Sequence, residues 1–159
     1  MTKEKTLPIF IRDTREHKGH GFKWRSCKKW GKMETAMLKY GDYSIKGFET
    51  SFAVERKGSA SEFIGNLITN DKKRFHKELE VLSTYKSAWI VCEFNVADLR
   101  KAIFYIPKRK RKYFSMDKIL GAISSIICKY KIPVIFAGNN KDAKILSQKL
   151  LLKAMKYSK

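Results

Sequence analysis

The chain has 159 residues, 43% hydrophobic and 13% aromatic, and its 35 Lys and Arg against 15 Asp and Glu give a formal charge of +20. This composition excludes a disordered chain, and no run approaches the 18 apolar residues of a membrane span, so one globular α/β-sized domain is expected. The charge points to a polyanion as partner: nucleic acid first, a membrane surface a distant second.

In chain order, Leu7 to Arg12 is a short apolar run that reads as a buried strand, with Asp13-Thr14-Arg15-Glu16 at its end. Residues 17–32 are rich in Gly, His, Lys and Arg and read as a loop. Met33 to Leu38 reads as a strand. Asp42 to Ile45 and Ser51 to Glu55 flank Lys46-Gly47-Phe48-Glu49-Thr50, which reads as a hairpin turn. Ser59 to Ile68 has a capping Ser59, with Glu62 three residues on as in a capping box, and reads as a helix.

Asp71 to Tyr85 repeats apolar residues at Phe75, Leu79 and Leu82 and is a second helix. Ala88 to Phe94 is a buried strand, and Asn95 to Phe104 a short helix. Residues 106–114 carry five consecutive cations, which repel one another, and read as a mobile loop. Met116 to Tyr130 is an amphipathic helix, Pro133 to Ala137 a buried strand, and Asp142 to Tyr157 a terminal helix with a wide apolar face. The order predicts a central mixed β-sheet with helices on both sides.

Three cysteines, Cys27, Cys92 and Cys128, show no Cys-x-x-Cys pair and suit a reducing compartment. His17, His20 and Cys27 match no familiar zinc spacing and lack a fourth ligand. Met1-Thr-Lys-Glu-Lys-Thr carries no cleavage site, so a cytoplasmic or nucleoid-associated location is expected (nuclear in a eukaryote), and secretion is not.

The residues with chemistry sit at strand ends. Asp13, Asp42 and Glu55 fall at or near strand termini, where side chains leave the packed layer. If those strands are neighbours, the carboxylates converge, repel, and are reconciled by a cation. An all-oxygen set suits Mg²⁺, with Mn²⁺ as substitute, and no His or Cys pattern competes for a softer metal. Lys57 lies two residues beyond Glu55 and so points to the same side of its strand, placed to orient or deprotonate a water or to stabilise charge on a phosphate. Arg56 points the other way, and an ion pair with Asp13 or Glu16 is its expected role. Glu-x-Lys at a strand tip also occurs as a plain solvated edge.

Together, Asp13-Thr-Arg-Glu16, Gly41-Asp42-Tyr43, Val54-Glu55-Arg56-Lys57 and Phe63-Ile64-Gly65-Asn66-Leu67 resemble the XPF nuclease family, whose signature is Gly-Asp, a spacer, then Glu-Arg-Lys-x-x-x-Asp. Recognisable motifs cover roughly residues 7–95, and Arg74-Phe75 followed by Glu78 resembles the segment after the motif helix. The resemblance implies a restriction-endonuclease-like core and metal-dependent cleavage of branched or flap DNA. It implies Asp42 and Glu55 as metal ligands, Lys57 as the catalytic lysine, Arg56 within the motif and Asp13 as an auxiliary acid. The family's last acid should fall at Ser61; here Glu62 follows, either as that acid after a one-residue insertion or as a capping residue only.

Family members usually add helix-hairpin-helix repeats or a helicase domain, for which this chain has no room, so a single stand-alone nuclease domain over 1–159 is expected. It comprises the motif-bearing core, the basic loop at 106–114 and a helix-strand-helix over 115–159. Selectivity for branched DNA or single-strand/double-strand junctions would then come from the basic surface or a partner.

Lys23, Trp24, Arg25, Lys28 and Lys29 interleave cations with aromatics, suiting phosphate contact and stacking on an unpaired base; the alternative is a loop pinned to the body by its tryptophans. Lys108, Arg109, Lys110, Arg111 and Lys112 suit phosphate contact without sequence preference, or simple solvation. The apolar face of the last helix suggests a homodimer or heterodimer through the C-terminal helices. The rival to the nuclease is a degenerate nuclease fold that binds DNA without cutting it.

Overall fold

The computed structural model describes residues 7–16 and 19–158. Residue His17 and the segment before Leu7, which entered the zinc and targeting expectations, lie outside the described residues. Six strands, β1 (Phe10–Asp13), β2 (Glu34–Ala36), β3 (Tyr43–Ile45), β4 (Phe52–Lys57), β5 (Ser87–Cys92) and β6 (Val134–Phe136), form one mixed sheet. Its order is β2-β1-β3-β4-β5-β6. β3 and β4 are an antiparallel hairpin, β1 pairs antiparallel with β3, and β4, β5 and β6 run parallel. The expected α/β architecture, a central mixed sheet flanked by helices, is the observed one.

Strand parity divides the core in two. Ala53, Ile90 and Cys92 face one layer, built by α1 (Ala60–Ile68), α2 (Lys72–Leu82), α3 (Val96–Tyr105) and α5 (Met116–Ser125). Phe52, Val54 and Val91 face the other, closed by α6 (Asn140–Tyr157) and by Phe22 and Trp24 of the loop after β1. Caps fix where the helices start: Ser59 accepts from the Glu62 N–H, Asn95 and Asp98 form a reciprocal capping box, and Asn139 accepts from the Asp142 N–H. The Glu62 side chain does not complete a reciprocal box with Ser59, so capping does not occupy its carboxylate.

Three expectations change. The second helix stops at Leu82, because Thr84 and Tyr85 turn in to bury the Tyr85 ring. The fifth ends in a widened π turn, Ile126–Tyr130, closed by left-handed Lys131. The basic segment is no open loop: Lys108–Arg111 forms a four-residue helical turn, α4, opened by Pro107. Its cations radiate outward, and Arg111 folds back onto the carbonyls of Ile106 and Phe104, which relieves the repulsion expected of an extended run. The face of α6 that suggested a second copy is only partly covered by the sheet: Leu151 is fully buried, Leu146, Leu150 and Met155 are half-buried, and Ile145 is exposed. Among the described residues no helix is long and apolar enough to cross a membrane.

Candidate active site

Alternation along β4 delivers Glu55, Arg56 and Lys57 to alternate faces. Glu55 and Lys57 follow Ala53 toward α1 and α2, beside Ile90 and Cys92 of β5. Both are buried, and the Lys57 ammonium sits 2.8 Å from Glu55 Oε1 and 4.6 Å above the Phe75 ring. Burial disfavours that ammonium, but Glu55 outweighs it and the Lys57 pKa lies above the ordinary lysine range.

Asp42 arrives from the neighbouring strand. β3 stops at Tyr43 while β4 continues, and the Asp42 carboxylate takes the next ladder donor, the Arg56 N–H, at 2.7 Å. Gly41 makes this turn possible: its φ is 81°, and a Cβ there would come within 2.9 Å of the Ala53 Cβ. Burial, then the charges of Glu55 and Glu16, push the Asp42 pKa well above the usual carboxylate range.

Glu78 of α2 is the third carboxylate. Its Oε1 accepts from the Gly41 N–H at 3.4 Å, and burial followed by repulsion from Glu55 raises its pKa to about 7. Asp42, Glu55, Lys57 and Glu78 line one cavity of about 420 Å³, with Glu62 and Arg74 also on its wall. Its buried and half-buried charges are one ammonium and three carboxylates, whose mutual repulsion burial makes more costly, while Glu62, Arg15, Arg74 and Lys77 are exposed on its wall. A divalent cation is the chemistry that such an excess of oxygen donors accepts. Among the described residues no three metal-ligating side chains already stand at ligand distance. The all-oxygen donor set fits a hard cation in kind, and Lys57 pairs with Oε1 of Glu55, which leaves Oε2 for ligation.

A family model described as the ERCC4 domain matches residues 12–149. This chain belongs to the ERCC4 domain family. Solved structures agree on the fold. XPF from Aeropyrum pernix matches with a TM-score of 0.61 at 17% identity, over 92% of this chain and 61% of that one. XPF from Aeropyrum pernix in complex with DNA matches with a TM-score of 0.61 at 19% identity, over 94% and 66%. The ERCC4 domain described here thus spans less than two thirds of either chain. No curated protein sequence matches it.

The remaining expected site residues of this ERCC4 domain scatter. Asp13 does not line the cavity: its carboxylate accepts from the Arg15 N–H and Nε at 2.8 and 2.7 Å and from the Leu38 N–H at 2.6 Å. Burial raises its pKa, but Arg15 more than offsets that and the carboxyl stays below its usual range. The expected meeting of Asp13 with Asp42 and Glu55 is thus corrected; only their backbones meet, Asp13 N–H donating to Asp42 O at 2.8 Å. Arg56 is turned away from the cavity and bridges Glu16 at 3.0 Å and Glu93 at 2.5 Å. Glu16 was an expected partner and Asp13 was not used.

Trp24 is corrected as a stacking residue. It is 6% exposed, packs on Phe10, Phe22 and Tyr43, and its indole N–H donates to Lys144 O at 3.2 Å. The pinned-loop alternative describes it. Lys23, Arg25, Lys28 and Lys29 remain exposed around it, as do Lys108, Arg109, Lys110 and Lys112, while Arg111 is partly buried against α3. Glu78 had a signal in sequence: it precedes Leu79 on the apolar stripe of its helix, at the edge of the buried face.

Proposed function

We propose that this ERCC4 domain is a Mg²⁺-dependent DNA endonuclease, with Mn²⁺ as a substitute ion, that hydrolyses phosphodiester bonds in branched or flap DNA. One observation carries the reading: Asp42, Glu55 and Glu78 gather around Lys57 in the inner part of a single cavity, with Arg15, Arg74 and Lys77 exposed on its wall where a phosphate strand would enter. Family membership supports nuclease chemistry, and the charge of +20 supports a polyanionic substrate.

Asp42, Glu55 and Glu78 would hold the cation, which when bound supplies polarisation of the scissile phosphate and acidification of the attacking water. Glu55 positions Lys57, and Lys57, kept as an ammonium, donates to the water or to a phosphate oxygen where negative charge grows. Phe75 excludes water from one side of that ammonium. Glu62 and Arg74, both exposed on the cavity wall, meet the substrate strand first. Nothing in this arrangement reads bases, so selectivity for junctions rests on shape and on unpaired strand.

The DNA-binding module that does not cut is favoured by one observation, the Glu55–Lys57 pair that occupies one oxygen of a prospective ligand. The two readings separate on labelled linear, flap, fork and four-way DNA, incubated with Mg²⁺ and with chelator. The expected result is cutting of flap or fork DNA with Mg²⁺ only. Asp42→Ala or Glu55→Ala should lose roughly a thousand-fold or more in rate while keeping DNA affinity. Unchanged cutting by both variants rejects the site, and fork binding without cutting under Mg²⁺ or Mn²⁺ favours the module.

A further inference from the structure

Most large aromatic rings of this protein are buried or half-buried; apart from Tyr157 near the end of α6, the exposed ones cluster in one place. Phe104 is 67% exposed, Tyr105 82% and Tyr113 56%, all flanking the basic turn of α4. No acidic residue occurs from Leu99 to Met116, while the turn and Lys112 after it bring five cations. We propose that Phe104, Tyr105 and Tyr113, with that turn, form a stacking platform for the unpaired bases of single-stranded DNA.

Arg111 ties Phe104 to the turn. The Arg111 guanidinium donates to the Ile106 carbonyl at 2.7 Å and to that of Phe104, and lies 5.0 Å over the Phe104 ring. This ties the turn to the end of α3. Phe104 and Tyr105 meet edge to face at 5.8 Å and 84°, an arrangement that does not bury one ring face under the other. The Lys112 ammonium lies 5.0 Å over Tyr113. Rigid rings offer π-faces that any base can use, and the outward cations follow the backbone; that combination binds unpaired strands without sequence preference.

Charge decides the occupant. A protein partner would have to desolvate the cations of the turn, whereas a nucleic-acid strand neutralises them and releases its counterions. Position agrees. Glu62 and Asn66 of α1 line the catalytic cavity. Ser61, Ile64 and Gly65 of the same helix line a smaller cavity of about 130 Å³ with Ala102, Ile106 and Phe114. The end of α3 that carries Phe104 and Tyr105 therefore packs on the face of α1 next to the one that lines the cavity. A strand displaced from a junction at the cavity could cross α1 and lay its bases on these rings.

The choice of DNA rests on the proposed function, but the test reads binding alone, so the two can fail separately. Fluorescence anisotropy is measured in chelator with labelled 15-mer oligo(dT) and with an abasic 15-mer of equal charge. Tyr105→Ala/Tyr113→Ala should weaken oligo(dT) binding about five-fold or more and leave the abasic strand unchanged. Tyr105→Phe/Tyr113→Phe should bind as the wild type does. Lys108→Gln/Lys110→Gln should weaken both strands alike. Wild-type affinity of the alanine variant for oligo(dT), or equal losses on both strands, overturns the proposal. Thermal unfolding of the alanine variant should match the wild type, because both rings are exposed.

Discussion

Glu55 and Arg56 are neighbours in the chain, yet they sit in opposite electrostatic settings on the two faces of β4. On the Arg56 face each carboxylate is paired: the guanidinium bridges Glu16 and Glu93, Glu16 accepts from the Tyr43 hydroxyl, and Glu93 accepts from Asn140 at 2.6 Å. On the Glu55 face the inner carboxylates Asp42, Glu55 and Glu78 have one buried cation, Lys57, paired to Glu55, and Asp42 and Glu78 have raised pKa values. The first arrangement holds the hairpin, the β5 end and α6 together. The second is costly in the free protein and is expected to be relieved by a ligand.

Breaking the paired face should have the largest effect on stability. Arg56→Ala leaves Glu16 and Glu93 buried without their cation and should cost about 3–5 kcal/mol, read as a lower denaturant midpoint. A variant as stable as wild type would show that the bridge contributes nothing.

Relieving the frustrated face should have the opposite sign. The Glu78 pKa is raised to about 7, so between its unfolded value and 7 the native state binds more protons than the unfolded one. Stability from this group is therefore present at low pH and lost as pH rises through 7. Glu78→Gln, which stays neutral, should stabilise the metal-free protein at pH 8 by on the order of 2 kcal/mol and have little effect at pH 4. Equal stability of the two proteins at pH 8 would mean that Glu78 carries no strain.

Asp13 lies between these extremes. Asp13→Ala strips the Leu38 N–H of its acceptor and should cost about 1–2 kcal/mol in denaturant unfolding while leaving cation affinity intact. A large loss of cation affinity would return Asp13 to the site. The smallest effect belongs to the surface: Lys108→Gln/Lys110→Gln should reduce the salt slope of duplex binding by about 2, and an unchanged slope would separate that turn from DNA.

How much of this was legible depended on the range of the interaction. Period-two alternation was enough to place Glu55 with Lys57 and against Arg56, and the apolar runs gave the sheet and its flanking helices. Asp13 could not be placed because its fate is local: Arg15, two residues on, offers both a backbone and a guanidinium donor, and that competition outweighs convergence at the strand end. Trp24 was ambiguous because cations beside an aromatic accompany an exposed ring and a buried one equally. Its burial needs Phe10, Tyr43 and α6, which are distant in sequence. The exposed rings Phe104, Tyr105 and Tyr113 flank the run of cations, whose charge is the stronger signal of that segment.

Cation binding tests the central claim most directly: Asp42, Glu55 and Glu78 should share one divalent ion. Mn²⁺ titration, read by the paramagnetic resonance of the free ion, should show one site in the wild type. That site should be retained in Asp13→Asn and lost in Asp42→Asn/Glu55→Gln. A site that survives the double substitution, or a wild type that takes up no Mn²⁺ at millimolar concentration, would contradict the account.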